Sequence, residues 1–308
     1  MVPRPCRPNA GRRQSPLAPG TDLDWTRAGA IRTIGSMHAL LAHDGSRPAD
    51  EAVDLAASLP WPNGTRLWVV RVARAASGVA AEQDRDDLRR VAARLAAPDR
   101  TVRSTLVTGR PASVLVRLAM EVNADLLIVG SRGFSSLRTL LLGSVSAELV
   151  ERAPCSVIVA RGSGHHTLVV GTDGSREATA MPQVICGWGL FREARALVVG
   201  VAEDVAPGDD PTADRRLALA TRRLSARLAM CEISTMDRVL AGDAASVLIE
   251  VARQERADLL VIGPRGRSRV TDLLLGGVAR KVAQQAPCSV VVVRAVPAHG
   301  GSRSQPTA

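Results

Sequence analysis

The sequence predicts an α/β fold: two tandem doubly wound domains, each built on a five-stranded parallel sheet. Three observations predict it. The pattern Gly130-x2-Gly133-x9-Gly143-Ser144 recurs 133 residues later as Gly263-x2-Gly266-x9-Gly276-Gly277. At the same offset Ala124-Asp125-Leu126-Leu127 returns as Ala257-Asp258-Leu259-Leu260, Ala153-Pro154-Cys155-Ser156-Val157 as Ala286-Pro287-Cys288-Ser289-Val290, and Gly109 as Gly242. Around these motifs, short apolar runs alternate with longer stretches of helical apolar spacing, the order that gives parallel strands joined by right-handed crossovers.

Residues 1–36 are rich in Pro, Gly and Arg without a sustained period and read as a disordered extension. Met37, directly before the first strand, is a candidate translation start. The first domain, 37–161, opens with a strand over 38–43. Asp44-Gly45-Ser46 ends that strand and opens a helix over 49–58. A second strand covers 66–72. Helical spacing follows over 83–96 through Leu88, Val91, Ala92 and Leu95. A strand at 102–107 and a helix at 113–121 come next, then the continuous apolar run 126–129, as expected of a strand covered on both faces. After the glycine loop, a helix starts near Ser144 and the last strand is 156–160. The second domain, 166–294, repeats this order with strands at 168–171, 196–201, 235–239, 259–262 and 289–293. Its longest helix is 215–230. Asp173-Gly174-Ser175 matches Asp44-Gly45-Ser46 at an offset of 129, so four residues are inserted between the second and third strands of the second domain. The linker 161–166 is short, and 295–308 reads as a polar tail. The apolar last strands would be pairing liabilities as free edges. The expected solution is a pseudo-dimer within one chain, with Val157, Ile158 and Val159 against Val290, Val291, Val292 and Val293.

The net charge of +10 raises nucleic acid as a partner. Its placement argues otherwise. Residues 1–36 hold six Arg and two Asp, and 295–308 add Arg303, so half of the excess lies in the tails. With four Trp, two Phe and no Tyr, stacking platforms for single strands are not visible. Lys281 is the one lysine, so no Gly-Lys-Ser/Thr exists and a Walker-type phosphate loop is excluded. Apolar runs are far shorter than a bilayer span. The five cysteines are odd in number and lack CxxC, so neither a disulfide framework nor a zinc site is expected. Cys155 and Cys288 read as small apolar core residues. A reduced, cytoplasmic compartment fits.

Ligands of open α/β sheets bind beyond the carboxyl ends of the strands. Gly130 and Gly263 stand there. Glycine removes Cβ and permits positive φ, so that backbone N–H groups converge on an anion. Gly143 and Gly276 then open helices, whose first N–H groups and dipole favour phosphate; Ser144 adds a hydroxyl. The structural alternative makes Gly133 and Gly143 turn glycines and Ser144 an N-cap. The complete spacing at two strand ends favours an anion site. Arg132 and Arg265 share one slot in the loops, available to a phosphate or to solvent. Asp44 and Asp173 face the same crevice. They either accept hydrogen bonds from a base or ribose and help to hold Mg²⁺, or cap the next helix. Gly171 allows close ligand approach where the first repeat has Ala42. Val72 and Val201 either flank a planar base or pack in the core. His165 and His166 read as a solvated pair. No Ser-His-Asp, HExxH or paired-carboxylate arrangement is visible, so the sequence offers a binding site without evident catalytic machinery.

The glycine motif, the Asp-Gly-Ser after the first strand and the Ala-Pro-Cys-Ser-Val lead into the last strand together resemble the universal stress protein family, in its tandem form common in actinobacteria. The resemblance spans 37–294. It implies Rossmann-like, adenine nucleotide alpha hydrolase-like domains that bind adenine nucleotide, usually ATP with Mg²⁺. It also implies dimer formation through the last strand and a regulatory role in stress, dormancy or low oxygen. By position, Asp44, Val72, Gly130, Gly133, Gly143 and Ser144 would line the first site; Asp173, Val201, Gly263, Gly266 and Gly276 would line the second. Gly277 departs from the family's Ser/Thr, a lost hydrogen bond to phosphate worth roughly 1.5–3 kcal/mol, and Pro264 removes an N–H donor. The expectation is therefore a stronger site in the first repeat. A slow ATPase or nucleotidyl transferase, and an interaction module without nucleotide, remain the alternatives, the latter above all for the second repeat.

Overall fold

The computed structural model describes residues 36–73, 77–133, 142–202, 211–266 and 275–294. The expected extension over 1–36, save its last residue, and the tail over 295–308 lie outside them. In chain order the elements of the first repeat are β1 (His38–Ala42), α1 (Arg47–Ser58), β2 (Thr65–Ala73), α2 (Val79–Leu95), β3 (Arg100–Thr108), α3 (Pro111–Glu121), β4 (Leu126–Gly130), α4 (Ser144–Arg152) and β5 (Ser156–Ala160). Those of the second are β6 (Thr167–Thr172), α5 (Arg176–Trp188), β7 (Arg195–Ala202), α6 (Pro211–Ala229), β8 (Ser234–Ala241), α7 (Ala244–Gln254), β9 (Leu259–Ile262), α8 (Gly277–Gln285) and β10 (Ser289–Val292). The helices α2 and α6 each begin four residues before the predicted ones. In the first turn of α2 Ala81 alone is buried and Val79 is 78% exposed, and the first turn of α6 holds no described residue that is buried, so no apolar period marks them.

The strands form one ten-stranded sheet in the order β3-β2-β1-β4-β5-β10-β9-β6-β7-β8. Within each repeat all neighbours are parallel. At the centre β5 and β10 run antiparallel, pairing Val157 with Val292, Ile158 with Val291 and Val159 with Val290. Every residue of these two strands is buried, which explains their unbroken apolar character.

The repeated motifs each have a structural task. Asp125 accepts the backbone N–H of His38 at 2.9 Å, and Asp258 accepts those of Thr167 (2.9 Å) and His166 (3.0 Å), so each aspartate of Ala-Asp-Leu-Leu fixes the start of its repeat's first strand. The serines of Ala-Pro-Cys-Ser-Val reach across the centre. Arg294 N–H donates to Ser156 Oγ (3.0 Å) and Arg161 N–H to Ser289 Oγ (2.9 Å). The same two arginines, 133 residues apart, cap the opposite repeat's helix. The Arg161 guanidinium donates to the carbonyl of Ala283 in α8, and that of Arg294 to the carbonyls of Val150 and Glu151 in α4. Cations at helix C-termini answer both the unpaired carbonyls and the dipole. Burial lowers both guanidinium pKa values from the ordinary range. Cys155 and Cys288 are buried beside them, and burial pushes their thiols up to about 12 and about 11, so they pack as neutral apolar residues.

Two expectations are corrected here. Cys186 and Cys231, 45 residues apart, form a disulfide between the last turn of α5 and the second residue past α6. Counting cysteines by parity fails because one pair is joined by the meeting of two helix ends. The first repeat has Ala57 and Pro98 at the matching positions. In the linker, His165 is buried at 9% exposure against Ser58, while His166 alone is exposed. Burial first, and His166 second, lower the His165 pKa from its ordinary 6.5. The folded state therefore binds this proton less readily than the unfolded one. Stability from this group is complete above pH ~6.5 and is lost as pH falls through the lower folded value. Thermal melts at pH 7.5 and 5 should show a fall that His165→Asn reduces.

Candidate ligand-binding site

The site forms where the strands' carboxyl ends meet the glycine loops. Asp44 Oδ1 accepts the Ser46 N–H at 3.0 Å, and Asp173 Oδ1 accepts that of Ser175 at 2.9 Å. Ser46 and Ser175 then N-cap α1 and α5 by accepting the N–H groups of Ala49 and Ala178. Between them Gly45 and Gly174 sit at φ +87° and +72°, the left-handed region that favours glycine. Hence the aspartate shapes the turn and the serine caps the helix.

The glycines of the long motif use one of the two expected properties, the missing Cβ, and not the other. Gly130, Gly133, Gly143, Gly263, Gly266 and Gly276 all avoid positive φ. Three of them are required for space. A Cβ on Gly130 would overlap the Pro48 carbonyl at the start of α1. On Gly133 it would lie 2.5 Å from Asp44 Oδ2, and on Gly266 2.7 Å from Asp173 Oδ2. The aspartate after the first strand thus packs directly on the loop glycine in both repeats. Gly143 and Gly276 are themselves the N-caps, so Ser144 and Gly277 are the first helical residues of α4 and α8. Gly143 N–H donates to Ser131 O at 2.9 Å, and Gly276 N–H to Pro264 O at 2.8 Å, so the proline preserves the loop closure. What Pro264 gives up is a bond outside the loop, the one by which Ser131 N–H reaches Ala160 O.

In the second repeat these groups enclose a cavity of about 400 Å³, within the range of roughly 300–1,000 Å³ usual for small-molecule sites. All eight candidate residues of this repeat line it: Gly171, Asp173, Val201, Gly263, Arg265, Gly266, Gly276 and Gly277. Gly171 owes its lack of Cβ to Leu248 of α7, whose methyl a Cβ would approach at 2.7 Å. The cavity has two characters. Val201, Leu217, Leu248 and Ile262 make an apolar wall; Arg265, Asp173 and the first turn of α8 make a polar end. Sequence reasoning missed Thr172, Asp214 and Leu217. The last two lie on α6, which the sequence marks only as a helix over 215–230, so that Asp214 falls before its expected start. In the first repeat Ala42, Asp44, Val72, Gly130, Arg132, Gly133, Gly143 and Ser144 occupy the matching ends of β1, β2 and β4, the loop and the start of α4. Among the described residues no group of three or more His, Cys, Asp or Glu side chains is arranged to hold a metal ion, and no helix is long and apolar enough to cross a membrane.

Such a fold and cavity define a class: tandem doubly wound α/β repeats with a small-molecule crevice at the strand ends. The universal stress protein family model matches the chain twice, over 36–161 and 164–294, and the chain belongs to that family. A universal stress protein of Mycobacterium tuberculosis is 30% identical over 208 residues, covering 63% of this chain and 69% of that protein. One from Thermus aquaticus is 33% identical over 134 residues, 42% of this chain and 98% of its own. A universal stress protein structure from Archaeoglobus fulgidus shares the fold with a TM-score of 0.62 at 19% identity, covering 83% of this chain and 96% of that one.

Proposed function

We propose that the second repeat binds an adenine nucleotide and that the chain acts as a nucleotide-responsive, cytoplasmic stress regulator. The observation that carries this reading is the two-ended cavity. Its apolar wall suits a base, and its polar end offers a guanidinium and the unpaired N–H groups of a helix start to phosphate. ATP is the first ligand to try. Asp173 is the carboxylate that would share an Mg²⁺ with the phosphates, since Mg²⁺ commonly takes one or two carboxylates plus phosphate oxygens. The proposed domains are 37–161 and 166–294, held as a pseudo-dimer by the β5–β10 pairing. Isothermal titration with ATP tests the reading: saturable heat is expected, and a folded protein that gives none overturns it.

A Cβ on Gly277 meets nothing within 4 Å. Gly277→Ser therefore supplies a hydroxyl at the phosphate end without displacing a neighbour. A hydrogen bond to a charged group is worth about 1.5–3 kcal/mol, so ATP affinity should rise by about ten- to a hundredfold in the same titration.

A further inference from the structure

We infer that Arg71 fills the crevice of the first repeat and confines nucleotide to the second, so that the chain takes one nucleotide rather than two. This inference rests on the nucleotide reading of the second-repeat cavity. It reverses the ranking that Ser144 and Gly277 alone imply.

The sheet register fixes the correspondence. His38 pairs with Arg66 and Thr167 with Arg195, so β1 and β2 map onto β6 and β7 at an offset of 129. Arg66 pairs with Thr101 and Arg195 with Ser234, so β3 maps onto β8 at 133. On the preceding helices, Leu95 of α2 and Leu228 of α6 are both fully buried at that same offset. Arg71 therefore stands where the second repeat has Gly200. A Cβ on Gly200 would meet Thr221 and Leu217 of α6, which places this position's side chain toward that helix.

In the first repeat that side chain is a guanidinium only 5% exposed. Its Nη1 donates to Asp84 (2.6 Å) and Asp87 (3.4 Å) of α2, its Nε to the His43 carbonyl (3.3 Å), and its Nη2 lies 3.1 Å from His43 Nδ1. His43 Nε2 in turn lies 3.1 Å from Asp50 Oδ1. His43 corresponds to Thr172 and Asp84 to Leu217, and both of those line the cavity. The guanidinium thus joins the two positions, His43 and Asp84, whose counterparts Thr172 and Leu217 line the second-repeat cavity.

Polarity adds to volume. The first repeat sets Arg71 against Asp84 and Asp87, with His43 against Asp50 and with Arg90 also on Asp87. The second has Thr179, Leu217 and Ala220 at the positions of Asp50, Asp84 and Asp87, with Gly200 for Arg71 and Thr172 for His43, all uncharged. A hydrogen-bonded, charged cluster takes up the space in the first repeat, while its uncharged counterpart leaves an apolar wall.

Titration of ATP into the full chain tests this through stoichiometry. The parent is expected to bind one per chain. His43→Thr/Arg71→Gly/Asp84→Leu, which installs the second-repeat residues, is expected to bind two. A parent that binds two, or a cooperatively folded triple variant that stays at one, overturns the inference. Should the triple variant not fold, Gly143→Glu in the parent serves in its place: one nucleotide bound at unchanged affinity upholds the inference, and weakened binding overturns it. A parent without binding refutes the second-repeat site itself, and this inference with it.

Discussion

Gly276→Glu is expected to lower ATP affinity by at least about a hundredfold, while Gly143→Glu leaves it unchanged. The new carboxylate stands at the N-cap of α8, among the N–H groups that would meet phosphate. Two like charges 4 Å apart repel by about 4 kcal/mol at an effective dielectric constant of ~20, and a tenfold loss needs about 1.4 kcal/mol. The fold should survive. A Cβ at Gly276 comes to 3.4 Å from Arg265 Cα, a contact eased by a small shift, and N-cap changes cost roughly 1 kcal/mol. The paired substitution in the first repeat is the control, because its geometry is so similar: Gly143 is the N-cap of α4 and a Cβ there lies 3.1 Å from Arg132 Cα. The state of the crevice beside it is the difference that sets the two variants apart. Titration calorimetry with melts on both variants measures the contrast.

Removing the disulfide should produce the largest change in stability. Cys186→Ala/Cys231→Ala frees a loop of 45 residues in the unfolded chain. The chain-entropy relation puts the loss at about 4 kcal/mol, with roughly 2–4 kcal/mol usual. For a fold of this size that is a fall in melting temperature of about 10 °C. The same bridge ties the far ends of α5 and α6, whose near ends bring Ala178, Asp214 and Leu217 to the cavity. Melting the parent with and without a dithiol reductant should reproduce most of the difference, and the double variant should be insensitive to the reductant.

Much of the fold was legible because two copies of each motif reinforce one another. The Asp-Gly-Ser turns follow from spacing and the strand ends from the apolar runs, and the second-repeat residues named for the site all line the cavity. The features that escaped depend on partners distant in sequence. Arg71 reads as an ordinary strand residue in Arg-Leu-Trp-Val-Val-Arg-Val, and its burial follows from Asp84 and Asp87 one helix away. Arg161 and Arg294 read as residues just past the last strands. Their capping role exists only because β5 and β10 meet and bring each arginine to the other repeat's helix end. The pattern locates the glycine loops, and of the two properties it suggests, absence of Cβ and positive φ, the structure uses only the first. Positive φ is a local property and was the natural guess, whereas close approach to Pro48, Asp44 and Asp173 is a property of packing.

The central claim is that an adenine nucleotide occupies the second repeat. Photoaffinity labelling of the full chain with an azido-adenine nucleotide, followed by peptide mapping, tests it most directly. The account predicts a label on peptides carrying Val201, Leu217 or Leu248, removed by excess ATP and by Gly276→Glu. A competed label on peptides carrying Ala42 or Val72 instead would contradict it.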